Sequence, residues 1–221
     1  MIDELLSIIA PHRCCGCDAI GCLICPNCKN NIINETEMIC LSCHCPTNGT
    51  GLCGNCHAPY SQAWLVGKRS GALQRLIGDY KFQRMRSGYK SLGDLLLFVL
   101  PDLPKDTVIV PVPTISSHVR ERGYDHMLLI AKYIAKSRRL ECRQLLRRVT
   151  NTKQRQSSAR QRKAQAKAAF AADAITNCNR PYLLIDDVMT TGATIKYAAR
   201  ALKKAGARNV WVAVIAYQGL R

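Results

Sequence analysis

The chain has 221 residues, a net charge of +17 from 32 Lys and Arg against 15 Asp and Glu, 13 Cys, 48% hydrophobic residues and only 6% aromatic ones. That apolar share is ordinary for a folded protein, so the charge does not mark a disordered polyelectrolyte, and with Leu95–Leu100 as the longest greasy run no bilayer span is available. Met1–Ile9 is too short and too acidic at its start to read as a secretory signal, and the expected location is the cytoplasm.

Cysteine and charge run in opposite directions along the chain. Residues 1–60 hold two basic side chains, Arg13 and Lys29, and five acidic ones, which leaves +20 on residues 61–221. Eleven of the 13 Cys lie between Cys14 and Cys56. A changeover near residue 60 predicts two domains, 1–60 and 61–221.

In the first of these, four Cys-x-x-Cys pairs follow one another: Cys14/Cys17, Cys25/Cys28, Cys40/Cys43 and Cys53/Cys56. Each such pair presents two thiolates to one tetrahedral ion, so eight thiolates predict two structural Zn²⁺ sites in a double zinc-ribbon-like domain. The segment has too few large apolar side chains for a core of its own, and metal binding would supply folding free energy on the order of 10 kcal/mol per site. A Cys₄ shell leaves no position for water, which argues for structural zinc. Sequential closure of the pairs is the expected arrangement. Cys15, Cys22, Cys45, His44 and His57 are spare potential ligands.

The second part alternates strand and helix signals. Thr107–Val110 is a β-branched run stopped by Pro111-Val112-Pro113. Arg120–Lys136 carries Met127, Ile130, Ala131 and Ile134 at helical spacing, and Leu140–Leu146 reads as a weak strand. Tyr182–Ile185 is a buried strand leading into Asp186-Asp187. A helix over about Ala193–Ala205 follows, ended by Gly206, and Val210–Ile215 is a further buried strand. This pattern predicts a parallel α/β sheet flanked by helices.

Ligands of such sheets bind beyond strand C-termini, where loops enter helices. Asp186 and Asp187 stand there as acceptors for a vicinal diol, and Thr190, Thr191, Gly192 and Thr194 offer hydroxyls and backbone N–H groups for an anion at a helix start. Diol acceptors followed by a phosphate cradle describe a ribose 5-phosphate. Gly-x-x-x-x-Gly-Lys-Ser/Thr is absent, so a P-loop NTPase is not supported.

The Leu184–Thr194 segment resembles the phosphoribosyl pyrophosphate signature of type I phosphoribosyltransferases. Together with the Cys pairs, Tyr80-Lys81-Phe82, Val110–Pro113, Arg120-x-Arg122-Gly123-Tyr124, Arg148-x-Thr150 with Gln154, and Ala169-Phe170, the chain resembles the competence protein ComF (ComFC) family over nearly its whole length. The resemblance implies a type I phosphoribosyltransferase-like fold for 61–221. It implies phosphoribosyl pyrophosphate with Mg²⁺ at Asp186, Asp187, Val188, Met189, Thr190, Thr191, Gly192, Ala193 and Thr194, with Arg120, Arg122 and the loop Thr114–His118 toward the pyrophosphate. It also implies a role in natural transformation on single-stranded DNA alongside proteins of the uptake machinery. The family's Arg-Gly-Phe-Asn-Gln is Arg122-Gly123-Tyr124-Asp125-His126 in this chain, and its basic-loop Asn is matched by Gln165.

Residues 143–167 contain nine basic residues and no acid. That exceeds what one pyrophosphate with Mg²⁺ requires, so Arg155, Arg160, Arg162 and Lys163 are expected to meet a nucleic-acid backbone. Bases would stack on Tyr80, Phe82, Tyr89 or Tyr124. Two functions fit: a binding module of DNA uptake, or an active phosphoribosyltransferase with an unidentified acceptor. No catalytic acid or base is identifiable, and His118 and His126 are unassigned.

Overall fold

The computed structural model describes residues 11–35, 38–47, 51–83, 85–149 and 170–219. Arg155, Arg160, Arg162 and Lys163, the expected nucleic-acid contacts, lie outside them, as do Gln154 and Gln165.

In chain order the elements are α1 (Pro26–Asn34), β1 (Gln62–Lys68), α2 (Gly71–Phe82), α3 (Gly88–Val99), β2 (Val108–Pro111), α4 (Ser116–Arg122), α5 (His126–Arg138), β3 (Glu141–Cys142), β4 (Leu146–Arg148), β5 (Phe170–Ala172), β6 (Pro181–Met189), α6 (Ala193–Lys204) and β7 (Asn209–Tyr217). Five strands form one sheet in the order β1-β7-β6-β2-β3, every neighbouring pair parallel. The expected parallel α/β architecture is therefore present. The short strands β4 and β5 pair antiparallel beside it.

Central strands of a parallel sheet are covered on both faces, which is why β6 and β7 read as nearly continuous apolar runs. Alternate residues sort onto two cores. Leu184, Val212 and Val214 pack with α6, Leu146 and Phe170 on one face. Leu183, Ile185, Ala213 and Ile215 pack with α2, α3 and α5 on the other. The Cys-rich segment contributes to both: Cys15, Leu23 and Ile32 join the α2/α3/α5 side, and Ile39, Leu41 and Tyr60 the α6 side.

Two expectations are corrected. The helix over Arg120–Lys136 is two helices, because Gly123 takes a left-handed conformation (φ 80°) that caps α4, and Asp125 starts α5 by accepting from the N–H groups of Met127 and Leu128 at 3.1 Å each. The single strand over Leu140–Leu146 is instead a two-residue edge strand, β3, and part of the separate β4/β5 pair. Among the described residues, no helix is long and apolar enough to cross a membrane.

Candidate functional site

Strand order reverses between β2 and β6: from β2 the chain moves outward to β3 on one side, and from β6 outward to β7 on the other, beyond which β1 forms the edge. A crevice opens outside the C-terminal ends of strands at such a switch point. Proline-bounded β2 pairs with β6 only as far as Pro111 opposite Ile185, followed by the Val112 N–H donating to the Ile185 carbonyl at 2.9 Å. The strand β6 itself continues to Met189, paired with β7. Asp186 and Asp187 are therefore inside a strand but past the end of its neighbour, where they are both buried and open to the crevice.

Successive strand residues point to opposite faces. Asp187 follows Leu183 and Ile185 toward α2 and α5. There Lys81, near the end of α2, donates from Nζ to its Oδ2 at 2.7 Å, and Nε2 of His126 donates to the same oxygen. Arg122 donates to Nδ1 of His126 at 3.0 Å. The Thr114 hydroxyl gives its proton to Asp125 at 2.8 Å. The imidazole thus accepts at Nδ1 and carries its hydrogen on Nε2. Burial opposes ionisation of Asp187, but the His126 hydrogen bond and the Lys81 charge outweigh it and hold the carboxyl below its ordinary range. Tyr80 fixes the frame: its hydroxyl donates to the His126 carbonyl at 2.7 Å, and Tyr124 donates to the Tyr80 carbonyl at 2.6 Å.

Asp186 points the other way. It accepts from the Asp187 N–H at 3.0 Å. Burial, and then the neighbouring Asp187 charge, push its carboxyl up to about 7. The two carboxylates are consequently unequal. Asp187 is engaged by two cationic or donor side chains, whereas Asp186 keeps acceptor capacity for something that enters the crevice.

A cavity of about 250 Å³ lies over this pair, lined by Lys81, Phe82, Val112–Ile115, His118, Arg122, His126, Met127, Arg148, Asp186 and Asp187. Arg148 reaches it from β4, held by a 2.8 Å bond from Nε to the Pro113 carbonyl and by stacking on Phe170. Of the residues expected from sequence, Asp186, Asp187, Arg122, Thr114, Ile115 and His118 meet here. Arg120 is exposed on α4 and does not line the cavity. Val188 and Met189 complete β6. Thr190–Thr194 do not line this cavity but form the turn into α6, where Gly192 is left-handed (φ 70°) and the Thr191 hydroxyl accepts from Ala193. Lys81 and His126 had no role in the sequence reading, and Arg148 entered it only as one of the nine basic residues of 143–167. Each lies far from Asp187 in the chain, and beyond that only their place in the Tyr80-Lys81-Phe82, Arg148-x-Thr150 and Arg122–His126 motifs marked them.

The eight expected thiolates gather as two groups, Cys14/Cys17/Cys25/Cys28 and Cys40/Cys43/Cys53/Cys56, with all sulfurs of a group within 4.8 Å of one another. Closure is sequential. Four sulfurs around one ion at Zn–S distances of about 2.3 Å would sit about 3.8 Å apart. Cys17–Cys25 and Cys43–Cys53 are at 3.7 and 3.5 Å. Burial opposes ionisation of Cys14, but N–H groups of Cys25, Cys17 and Gly16 aimed at its sulfur bring it down to about 6. Each group can hold one tetrahedral, thiophilic metal ion.

The two groups are built on one repeated turn. In both, the first Cys N–H donates five residues on (Cys14 to Ala19, Cys40 to Cys45) at 2.8 Å, and the fifth residue, Asp18 or His44, is left-handed. His44 therefore occupies a turn position and packs edge-on to Tyr217. Cys15 is buried against α2, its sulfur donating to Asp79 at 3.5 Å.

Comparison with known proteins gives this arrangement its class. The phosphoribosyl transferase domain family matches residues 137–220, which hold β6, α6 and β7 of the sheet, the Asp186/Asp187 pair and the turn into α6. The chain is a phosphoribosyltransferase-fold protein with an N-terminal pair of Cys₄ groups.

It is 30% identical to DNA utilization protein YhgH of Escherichia coli O6:H1 over 190 residues, covering 80% of this chain and 82% of that one. It is 28% identical to Competence protein F of Haemophilus influenzae over 218 residues (85% and 94%), and 26% identical to Competence protein ComFC of Bacillus subtilis over 201 residues (83% and 79%). The chain belongs to the competence protein F (ComF/ComFC) family.

Proposed function

We propose that the chain is a DNA-uptake factor of the ComF type that binds phosphoribosyl pyrophosphate with Mg²⁺ in the Asp186/Asp187 crevice and single-stranded DNA on its basic surface. The observation that carries the reading is the unequal carboxylate pair at the β2/β6 switch point, walled by Lys81, Arg122 and Arg148. Asp186 accepts from the ribose diol. Asp187, locked by Lys81 and His126, holds the frame and the water shell of the ion, which takes its ligands from pyrophosphate oxygens and waters rather than from a protein cage. Arg122 and the Thr114–His118 stretch face the pyrophosphate, and the Thr190–Thr194 turn receives the 5-phosphate.

The names of the relatives, competence and DNA utilization, support the nucleic-acid half, as does a net charge of +20 on residues 61–221. The two Cys₄ groups hold zinc, which all-thiolate tetrahedral shells select and which leaves them structural. We place the division of labour near residue 60, metal-held turns before it and ligand site after it. Transfer of the phosphoribosyl group to an acceptor is the second reading of the same cavity, favoured by the apolar Phe82 and Ile115 in its lining.

Calorimetry with phosphoribosyl pyrophosphate and Mg²⁺ tests the site. Binding to the native chain and a loss of at least about tenfold in Asp186→Ala with Asp187→Ala are expected. Equal affinity in the double variant would refute the location.

A further inference from the structure

We propose that Phe82 is a stacking platform on which an unpaired base of a nucleic-acid strand rests at the mouth of the Asp186/Asp187 crevice. The inference rests on the nucleic-acid reading above and names where one base of the strand goes.

Phe82 is the last residue of α2 and is 68% exposed, yet it lines the same cavity as the carboxylates. An exposed apolar side chain alone means little. The surroundings of this one are specific. Its neighbour Lys81 is bound to Asp187, which ties the backbone at the end of α2 to the charged floor. The Arg122 guanidinium lies 5.6 Å from the ring centroid and is itself held by His126, so a fixed cation backs the ring. Ile115, 40% exposed, lines the same cavity. Exposed apolar side chains beside the polar floor suit a flat base that rests next to the sugar-phosphate site rather than in it.

The other aromatic residues expected to stack are committed elsewhere. Tyr80 is 1% exposed with its hydroxyl bonded to His126. Tyr124 is bonded to the Tyr80 carbonyl, and Tyr89 sits edge-on to Tyr133. A strand suits the mouth better than a free base does. Sites for a free base bury most of their ligand, whereas Phe82 is left largely in solvent, so a base resting on it stays part of an exposed strand. Arg86, four residues past Phe82, and Arg120, two residues before the Arg122 that meets the ring, are both exposed and available for flanking phosphates.

The test is anisotropy titration of a labelled oligothymidylate through a salt series with native chain, Phe82→Ala and Phe82→Trp. Phe82→Ala should weaken binding about tenfold or more at every salt concentration while leaving the slope of log K against log salt unchanged, because the slope counts displaced counterions and stacking displaces none. Phe82→Trp should retain affinity, and its added emission should be quenched on saturation. A duplex of the same sequence should show no dependence on Phe82. Native affinity in Phe82→Ala with an unchanged melting temperature, or unquenched Phe82→Trp, would overturn the platform alone. Failure of the native chain to bind the oligonucleotide would overturn the strand-binding reading together with it.

Discussion

Asp186 and Asp187 are adjacent and equally buried, yet their environments drive their protons in opposite directions. Burial and the Asp187 charge raise Asp186 to about 7, so between about pH 4 and 7 the folded chain keeps a proton that the unfolded chain has released. Stability attributable to Asp186 therefore falls as pH rises through that window and stays lower above it. Asp187 is the reverse: its contribution is present above about pH 4 and is lost on further acidification. Asp186→Asn should consequently melt higher than the native chain at pH 8 and close to it at pH 4–5. Melting curves across pH check this; an equal or lower melting temperature at pH 8 would contradict it. The residue identities of the pair were legible in the sequence because two acids at a strand end before a Thr-Thr-Gly turn have few other uses. Their inequality was not, because it is made by Lys81 and His126, which no spacing rule connects to Asp187.

At the scale of elements, β6, α6 and β7 follow the sequence pattern closely, with Ile195, Ala198, Ala199 and Leu202 on the buried face of α6 as their spacing predicts. Local signals failed where tertiary contact decides. The strand β1 and helices α2 and α3 were not anticipated. Gly71 and Gly78 dilute the helical signal of α2, and Leu95–Leu100 registered only as a greasy run although it supplies buried Leu95 and Leu96 of α3. The sequence also did not show that the second Cys₄ turn touches the phosphate-turn candidate. Gly192 sits so close to the Leu41 carbonyl that a Cβ would lie 3.2 Å from it, and Ser42, Cys43 and His44 share a cavity wall with Thr191. Metal at this second group should therefore hold the Thr190–Thr194 turn in shape. Cys43→Ser should weaken phosphoribosyl pyrophosphate binding about tenfold, and Cys17→Ser, in the first group, should weaken it less. Metal analysis should give about two zinc ions per native chain and one in each variant. Equal effects of the two substitutions would remove the link.

For the molecule as a whole, the Cys-rich segment packs against both faces of the sheet, since Cys15, Leu23 and Ile32 enter one core and Ile39, Leu41 and Tyr60 the other. Opposite gradients of cysteine and charge are a change in composition, and composition carries no information on which apolar side chains share a core. The fold class was legible because alternation of buried strands and helices over 107–216 admits few architectures. The ligand crevice was legible only as a topological position. The measurement that bears most directly on the account is a crystal structure of the chain with phosphoribosyl pyrophosphate and Mg²⁺. The account predicts the ribose hydroxyls at Asp186, the 5-phosphate against Thr190–Thr194 and the pyrophosphate toward Arg122 and Thr114. A ligand bound elsewhere, or a ribose with its hydroxyls turned away from Asp186, would contradict it.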